Sequence, residues 1–420
     1  MPTAALFPRF FELHGMAGGA KPGTEQLRRQ NLVTVLSALR YAGAMSHTDL
    51  SSVTGMASAT VTAVTADLER AGLIERQEQA ASGGRGRPRV MFSRRRPYAH
   101  VVAVQISSDA VHYALADYNG TLIDRFSARR DMQGNPADLL TELADAIKRL
   151  LSRSQLKAQD IAALSLSSKG IVDSAAGRLI WSPVLGDRQV EFAELLSELP
   201  EAELALSNET LLVTHAQAQR RLRGAGREDF SGLVTLSLGH SIGLGIARLD
   251  VPGGLSVTAP NFGHMLNAVD DRLCRCGSRG CIEATAGFYG ILRLAFQVPP
   301  NTIPARFVPL SEMEKIALSA RQGTRMAQYA FRQAGLALGQ GLSRVLSLYE
   351  NMPVSIAGPG TRFYDLLAGG MEEGLLQSLH VRLNGLPRIE IEPDEASLIF
   401  DGHIDRALTA VDQRVVQSLR

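Results

Sequence analysis

All three cysteines of this 420-residue chain stand at positions 274, 276 and 281, shortly after Gly263-His264. Random scatter rarely packs every thiol of a chain into so short a stretch. Three thiolates and one imidazole make the tetrahedral N/S set that borderline-soft zinc prefers. Gly277 and Gly280 permit the tight turns that bring Cys276 and Cys281 onto one ion. Four protein ligands, His264, Cys274, Cys276 and Cys281, close the coordination sphere, so the expectation is one structural Zn(2+) per chain that fixes a loop, with no catalytic metal. Three reduced core cysteines are the alternative. So few thiols exclude a disulfide scaffold.

A second chemistry is carried by charge. Residues 1–97 have a net charge of +6 and the remainder −4, against +2 for the whole chain. Residues 83–97, GGRGRPRVMFSRRRP, hold six arginines and no acid. Within them Arg85-Gly86-Arg87-Pro88 resembles the core of the AT-hook, where glycine lets an extended backbone sink into a narrow minor groove and guanidiniums lie along its floor. A flexible basic linker is the bland reading. What decides between them lies upstream. TEQLRRQNLVTVLSALRYAG places Leu27, Leu32, Val35, Leu36 and Leu39 at helical spacing. Ser46-His47-Thr48-Asp49 reads as a capping box that opens a short helix with Leu50 and Val53 inward. Gly55 supplies the turn, and SATVTAVTADLERAG begins a third helix whose stripe is Val61, Val64, Thr65 and Leu68. LIERQ and VMFSR add a two-stranded wing. This order is an α+β winged helix-turn-helix over residues 24–97, after a lead of residues 1–23. Its third helix offers Ser58, Ala59, Thr60 and Thr62, small hydroxyls and methyls that allow close approach to phosphates and thymine methyls.

From Tyr98 the texture changes to strands alternating with helices, an α/β pattern over residues 98–420. HVVAVQI and a hairpin around Asn119-Gly120 lead into the helix ADLLTELADAIKRLLSRS and the strand IAALSLSS. ELALSN precedes a long helix from Thr210 to about Arg223. LVTLSLGHSIGLGIARL forms two strands around a glycine-rich turn, and VSIAGPG and RIEIEP close the pattern. No uncharged run is long enough for a membrane span, and Arg9 and Glu12 interrupt the start where a secretory signal would be apolar, so the expected location is cytoplasmic with no membrane partner.

The order of parts, together with Gly263-His264 and Cys274-Arg275-Cys276-Gly277-Ser278-Arg279-Gly280-Cys281-Ile282-Glu283, resembles the ROK family of repressors, open reading frames and sugar kinases, whose signature reads GH…CxCGxxGCxE. The resemblance implies an actin-like ATPase fold with two lobes around a sugar cleft, the zinc loop of residues 264–281 beside it, and a homodimer or homotetramer. A winged helix ahead of such a domain is similar to the family's NagC/Mlc-type repressors.

A sugar kinase must hold Mg-ATP and needs a carboxylate to take the proton from the attacking hydroxyl. The family's first phosphate loop, D-x-G-G-T, is matched here by Gln105-Ile106-Ser107-Ser108-Asp109, without its acid or its glycines. The second, Gly239-His240-Ser241-Ile242-Gly243-Leu244-Gly245, keeps its glycines, and Ala357-Gly358-Pro359-Gly360 resembles part of the adenosine loop, though plain tight turns also use glycine. The family's catalytic aspartate corresponds to Glu209, one methylene longer and misplaced for a base, so no residue is expected to be catalytic. In the sugar pocket, Asn261 stands where a glutamate is usual and Val184 where an asparagine is. Asn208, Glu209, Asn261, His264 and Glu283 are the expected effector-binding groups, with His264 read first as a zinc ligand. The reading is a DNA-binding transcriptional repressor controlled by a carbohydrate-like effector, not an enzyme, whose partner is double-stranded operator DNA. An active sugar kinase with a DNA-binding appendage, and a constitutive DNA-binding protein without effector, are the alternatives.

Overall fold

The computed structural model of the chain describes residues 23–79, 89–130, 136–186, 188–225, 229–250, 254–267, 271–349 and 352–419. These fall into two compact units, residues 1–95 with 412–420, and residues 96–411. No helix among the described residues is long and apolar enough to cross a membrane.

In the first unit, α1 (Thr24–Ala42) buries Leu32, Val35, Leu36 and Leu39. Ser46 caps α2 (His47–Thr54) through a reciprocal capping box with Asp49; this satisfies two amide donors that a helix start otherwise leaves orphaned. Gly55 takes the left-handed conformation, φ 69°, and turns the chain into α3 (Ser58–Arg70), which buries Val61, Val64, Thr65 and Leu68. The wing is β1 (Ile74–Gln79) paired antiparallel with β2 (Arg89–Arg94). Met45 bridges to Phe92 at the wing's base, and the His47 ring stacks on Phe92 at 4.7 Å. Two apolar positions differ from the sequence expectation: Leu27 is 48% and Val53 65% exposed. Leu27 lies in the first turn of α1 and Val53 in the last turn of α2, outside the buried positions of each helix.

The second unit repeats one sheet plan twice. The first sheet has the order β10-β6-β3-β4-β5, from β3 (His100–Ile106), β4 (Ala110–Asp117), β5 (Leu122–Arg129), β6 (Ile161–Ser168) and β10 (Glu203–Asn208). A three-stranded sheet of β7 (Ile171–Asp173), β8 (Arg178–Trp181) and β9 (Val190–Glu191) lies between β6 and β10 in the chain. The second large sheet has the order β13-β12-β11-β14-β15, from β11 (Leu233–Leu238), β12 (Ile242–Leu249), β13 (Leu255–Thr258), β14 (Val354–Ala357) and β15 (Ile389–Glu392). In both, three antiparallel strands are followed by two parallel ones. The first sheet's core is completed by α4 (Pro136–Arg153). Between the sheets in sequence runs α5 (Glu209–Ala225). The second sheet's core is filled by α6 (Ile282–Ala286), α7 (Phe288–Ala295), α8 (Leu310–Arg321), α9 (Arg325–Leu348) and α10 (Tyr364–Leu376), with Val381 of the short α11 (Leu379–Asn384). The last helix, α12 (Glu395–Ser418), begins in this unit, and its end from Asp412 onward groups with the first.

Candidate functional site

The four metal-ligand candidates come together. His264 Nδ1 lies 3.6 Å from Cys274 Sγ, Cys276 Sγ lies 3.7 Å from Cys281 Sγ, and all four ligand atoms are within 4.8 Å of one another. Tetrahedral zinc with bonds of about 2.3 Å to sulfur and about 2.0 Å to nitrogen sets its ligands about 3.5–3.8 Å apart. The residues fit such an ion. The loop is held open to this geometry by Arg293, a buried side chain whose guanidinium donates to the carbonyls of Leu273 (2.8 Å) and Pro300 (2.6 Å). Arg275 stacks over Tyr289, 4.4 Å from the ring centre, and the Tyr289 hydroxyl donates to Cys274 Sγ. The thiols share their protons unevenly. Cys281, with help from His264 and Tyr289, holds the Cys274 thiol well below its ordinary range against its burial, while Cys274 and burial drive Cys281 up. A bound cation is what lets three neighbouring thiols ionise together.

Beside this loop is a narrow cavity of about 50 Å³ between the two large sheets of the second unit, lined among others by Lys169, Trp181, Asn208, Ser241, Asn261, His264 and Glu283. Four of the five expected effector-binding residues therefore share one cavity, and Glu209 sits beside it. Their polar capacity is partly spent on the protein itself. Asn208 donates to the Gly170 carbonyl at 2.6 Å and accepts from the Thr210 amide at 2.8 Å, capping α5. The carboxylate of Glu283, 1% exposed, accepts from the Ile242 amide at 3.2 Å and lies 3.5 Å from the Tyr289 hydroxyl, whose single proton it shares with Cys274 Sγ. Val184 is not on the cavity wall; Pro183 is. Val184 packs against the first sheet's core, and its carbonyl accepts from Arg130 at 2.8 Å. The aliphatic residue expected to alter the pocket thus faces away from it.

The kinase-like positions are rewired. Gln105 Nε2 donates to Glu209 Oε1 at 3.1 Å, and Lys169 Nζ lies 3.8 Å from Glu209 Oε2. Burial lifts the Glu209 carboxyl above the usual carboxylate range, against the pull of Lys169. Carboxylates near Lys169, Glu209 first, raise its ammonium despite burial. Glu395, from the start of α12, accepts from Ser237 Oγ. The retained glycines have a packing reason. A Cβ on Gly243 would come within 2.1 Å of Thr210 Oγ1, and one on Gly245 within 2.0 Å of Thr214 Oγ1, so these glycines let β12 lie directly on α5. They serve the fold with no nucleotide needed.

On α3, Ser58, Ala59 and Thr62 are exposed and Thr60 is half-buried. Thr62 Oγ1 donates to the Ser58 carbonyl at 2.9 Å. Arg85 and Arg87 lie outside the described residues. Sequence reasoning missed Lys169, Trp181 and Arg293, and gave Ser241 only as part of the second glycine-containing loop. Only Lys169, a lone cation just after the strand IAALSLSS, left a readable signal.

A winged helix with an actin-like domain of two repeated sheets and a Cys₃His loop defines a class, and comparison with known proteins agrees. The ROK family profile matches residues 101–383 and the MarR family profile residues 30–82. The chain belongs to the ROK family, with a MarR-type winged helix domain at its N-terminus. It is 24% identical over 370 residues to the DNA-binding transcriptional repressor Mlc of Escherichia coli (strain K12), covering 86% of this chain and 89% of that protein. It is 22% identical to the xylose repressor of Caldicellulosiruptor bescii, over 84% and 88% of the two chains. A solved ROK family transcriptional regulator, a homolog of the E. coli MLC protein, superposes with a TM-score of 0.69 at 20% identity, over 93% of this chain and all of the other. A ROK family glucokinase from Streptomyces griseus in complex with glucose and AMPPNP superposes with a TM-score of 0.52 at 20% identity, over 74% and 99%. At these identities the solved structures speak for the fold.

Proposed function

We infer that the chain is a sugar-responsive, DNA-binding transcriptional repressor. Its winged helix reads operator DNA and its ROK domain takes a carbohydrate effector. The observation that carries this is the pairing of a DNA-binding fold with a kinase-like cleft in which Gln105 has replaced the metal-binding acid and is bonded to the residue at the base position, Glu209. A base already bonded in this way, and lacking a magnesium acid beside it, is poorly placed to take a proton from a sugar hydroxyl. The reading is therefore a non-enzyme. Incubated with ATP, magnesium and a panel of hexoses and amino sugars, the purified chain produces no ADP above background in a coupled assay; turnover with any of them makes it a kinase.

In this reading Ser58, Ala59, Thr60 and Thr62 approach the major groove, and Arg85 and Arg87 follow the minor groove alongside. The effector meets Asn208, Asn261, Glu283 and the exposed edge of His264, with Glu209 behind them. One zinc per chain, on His264, Cys274, Cys276 and Cys281, fixes the loop beside the cleft and takes no part in a reaction. A homodimer or homotetramer supplies two winged helices to half-sites about one helical turn, or a multiple, apart. The compartment is the cytoplasm, where operator DNA is found. The test is recovery of genomic DNA fragments by the purified full chain. Discrete sites that share a two-fold sequence support the reading, and uniform recovery of all sequences contradicts it.

A further inference from the structure

The cavity beside the cysteine loop has an apolar stretch of wall as well as polar groups. The small sheet supplies it: Ile171 of β7, Trp181 of β8 and, just beyond that strand, Pro183, each half-buried. The hydrogen-bonding groups come from other elements, with Asn208 at the end of β10, Asn261 ahead of the turn to His264, and Glu283 in α6. Trp181 is the only tryptophan of the chain.

This residue is held in one place. It pairs with Ile171 across β7 and β8. Gly170, one residue before Ile171, has φ +121°, and a Cβ there would fall 2.1 Å from the Trp181 carbonyl oxygen, so the two backbones meet where only glycine fits. Ser182, which follows, is fully buried, and its hydroxyl accepts from the Val184 amide at 3.1 Å. The Trp181 ring meets the His264 imidazole at 5.0 Å and 84°, and His264 is itself tied to Cys274. Backbone on one side and imidazole on the other thus fix the indole.

At about 50 Å³ the cavity has room for little more than one water, whose share of liquid volume is about 30 Å³. A carbohydrate therefore enters by parting the walls, which exposes Trp181, Ile171 and Pro183 to water unless the ligand covers them. A pyranose covers them well, because its rigid ring presents C–H bonds at its faces while its hydroxyls stand at the rim. An open-chain polyol with the same hydroxyls must first freeze several torsions to present such a face.

We propose that Trp181 selects the form of the effector: the ligand is a cyclic sugar, bound with one C–H face on the indole and its hydroxyls toward Asn208, Asn261 and Glu283. This rests on the reading of the cleft as a carbohydrate site.

The experiment is calorimetry of the full chain with glucose, xylose and N-acetylglucosamine against sorbitol and xylitol, in the parent and in Trp181→Phe and Trp181→Leu, with the parent's indole fluorescence followed in parallel. At least one cyclic sugar shifts the fluorescence and binds about tenfold or more tightly than either polyol. Trp181→Phe keeps a flat ring and holds that affinity within about threefold. Trp181→Leu keeps an apolar side chain without the ring and brings the sugar down toward the polyols. The readout is the ratio of sugar to polyol affinity, which a damaged cleft lowers for neither in particular and a lost ring face lowers for the sugar alone. A polyol binding as tightly as the sugars, or an unchanged ratio in Trp181→Leu, overturns the proposal and leaves the carbohydrate cleft standing. Binding by none of the sugars or polyols overturns both the proposal and the reading beneath it.

Discussion

Replacing Asp412 by alanine destabilises the winged-helix unit by about 3–5 kcal/mol, the range for breaking a buried ion pair by removing one partner. Arg94 Nη2 lies 2.5 Å from Asp412 Oδ1, with side chains 0% and 1% exposed, and Arg40, 6% exposed, approaches the other carboxylate oxygen at 3.9 Å. Alanine leaves two guanidiniums turned toward a lost charge inside the unit's core. A small domain has little stability to spare, so a loss of this size removes most of its folded population. Asp412→Asn keeps the shape and one acceptor and falls between. Hydrogen exchange followed along the chain checks this: protection falls in residues 23–79 and persists in β3, β6 and β11. Unchanged protection in α1 and α3 would mean that the pair does not hold the unit together. The result is not one that a linear reading of the winged helix anticipates, since the carboxylate arrives from the far end of the chain.

The second large effect is at the cysteine loop. Cys281→Ala lowers bound zinc from one per chain to near none, and the melting temperature falls with it. A structural zinc contributes on the order of 10 kcal/mol to the folding of its own segment. Here that segment also carries Asn267, whose amide hydrogen-bonds the Gly280 carbonyl, and Ile282, whose amide bonds Met265. Elemental analysis of protein purified without chelator, paired with thermal unfolding, measures both. Parent protein without zinc, or a Cys281→Ala variant that keeps it, contradicts the assignment.

What was legible in the sequence follows the range of the interactions. The stripe Val61, Val64, Thr65 and Leu68 and the Ser46–Asp49 box depend on neighbours three or four residues away, and periodicity and spacing read them directly. Leu27 and Val53 show the limit of that reading, since a repeat tells which residues share a face but not how far the partner surface extends. The Cys₃His cluster was legible because three of its ligands lie on one short loop. The cleft was legible where the family motif names its residues, and illegible where the fold supplies them. Lys169 and Trp181 are brought together by a glycine turn, and Glu395 enters from the start of the last helix. Val184 was misread because it packs against the first sheet's core, and a hydrophobic residue in the sequence does not tell a core position from a pocket wall. The meaning of the retained glycines also needed coordinates, since only the threonines of α5 beneath them explain their absence of side chains.

The central claim is that a carbohydrate in the ROK cleft controls operator binding, and one titration tests it most directly. An operator fragment recovered with the purified chain is titrated with protein at fixed salt, alone and with saturating carbohydrates, neutral and acidic. The account predicts that one of them changes operator affinity by about 5- to 150-fold, the reach of a coupling of about 1–3 kcal/mol, and that operator changes the affinity for that carbohydrate by the same factor. A carbohydrate that binds the cleft while operator affinity stays the same would contradict it.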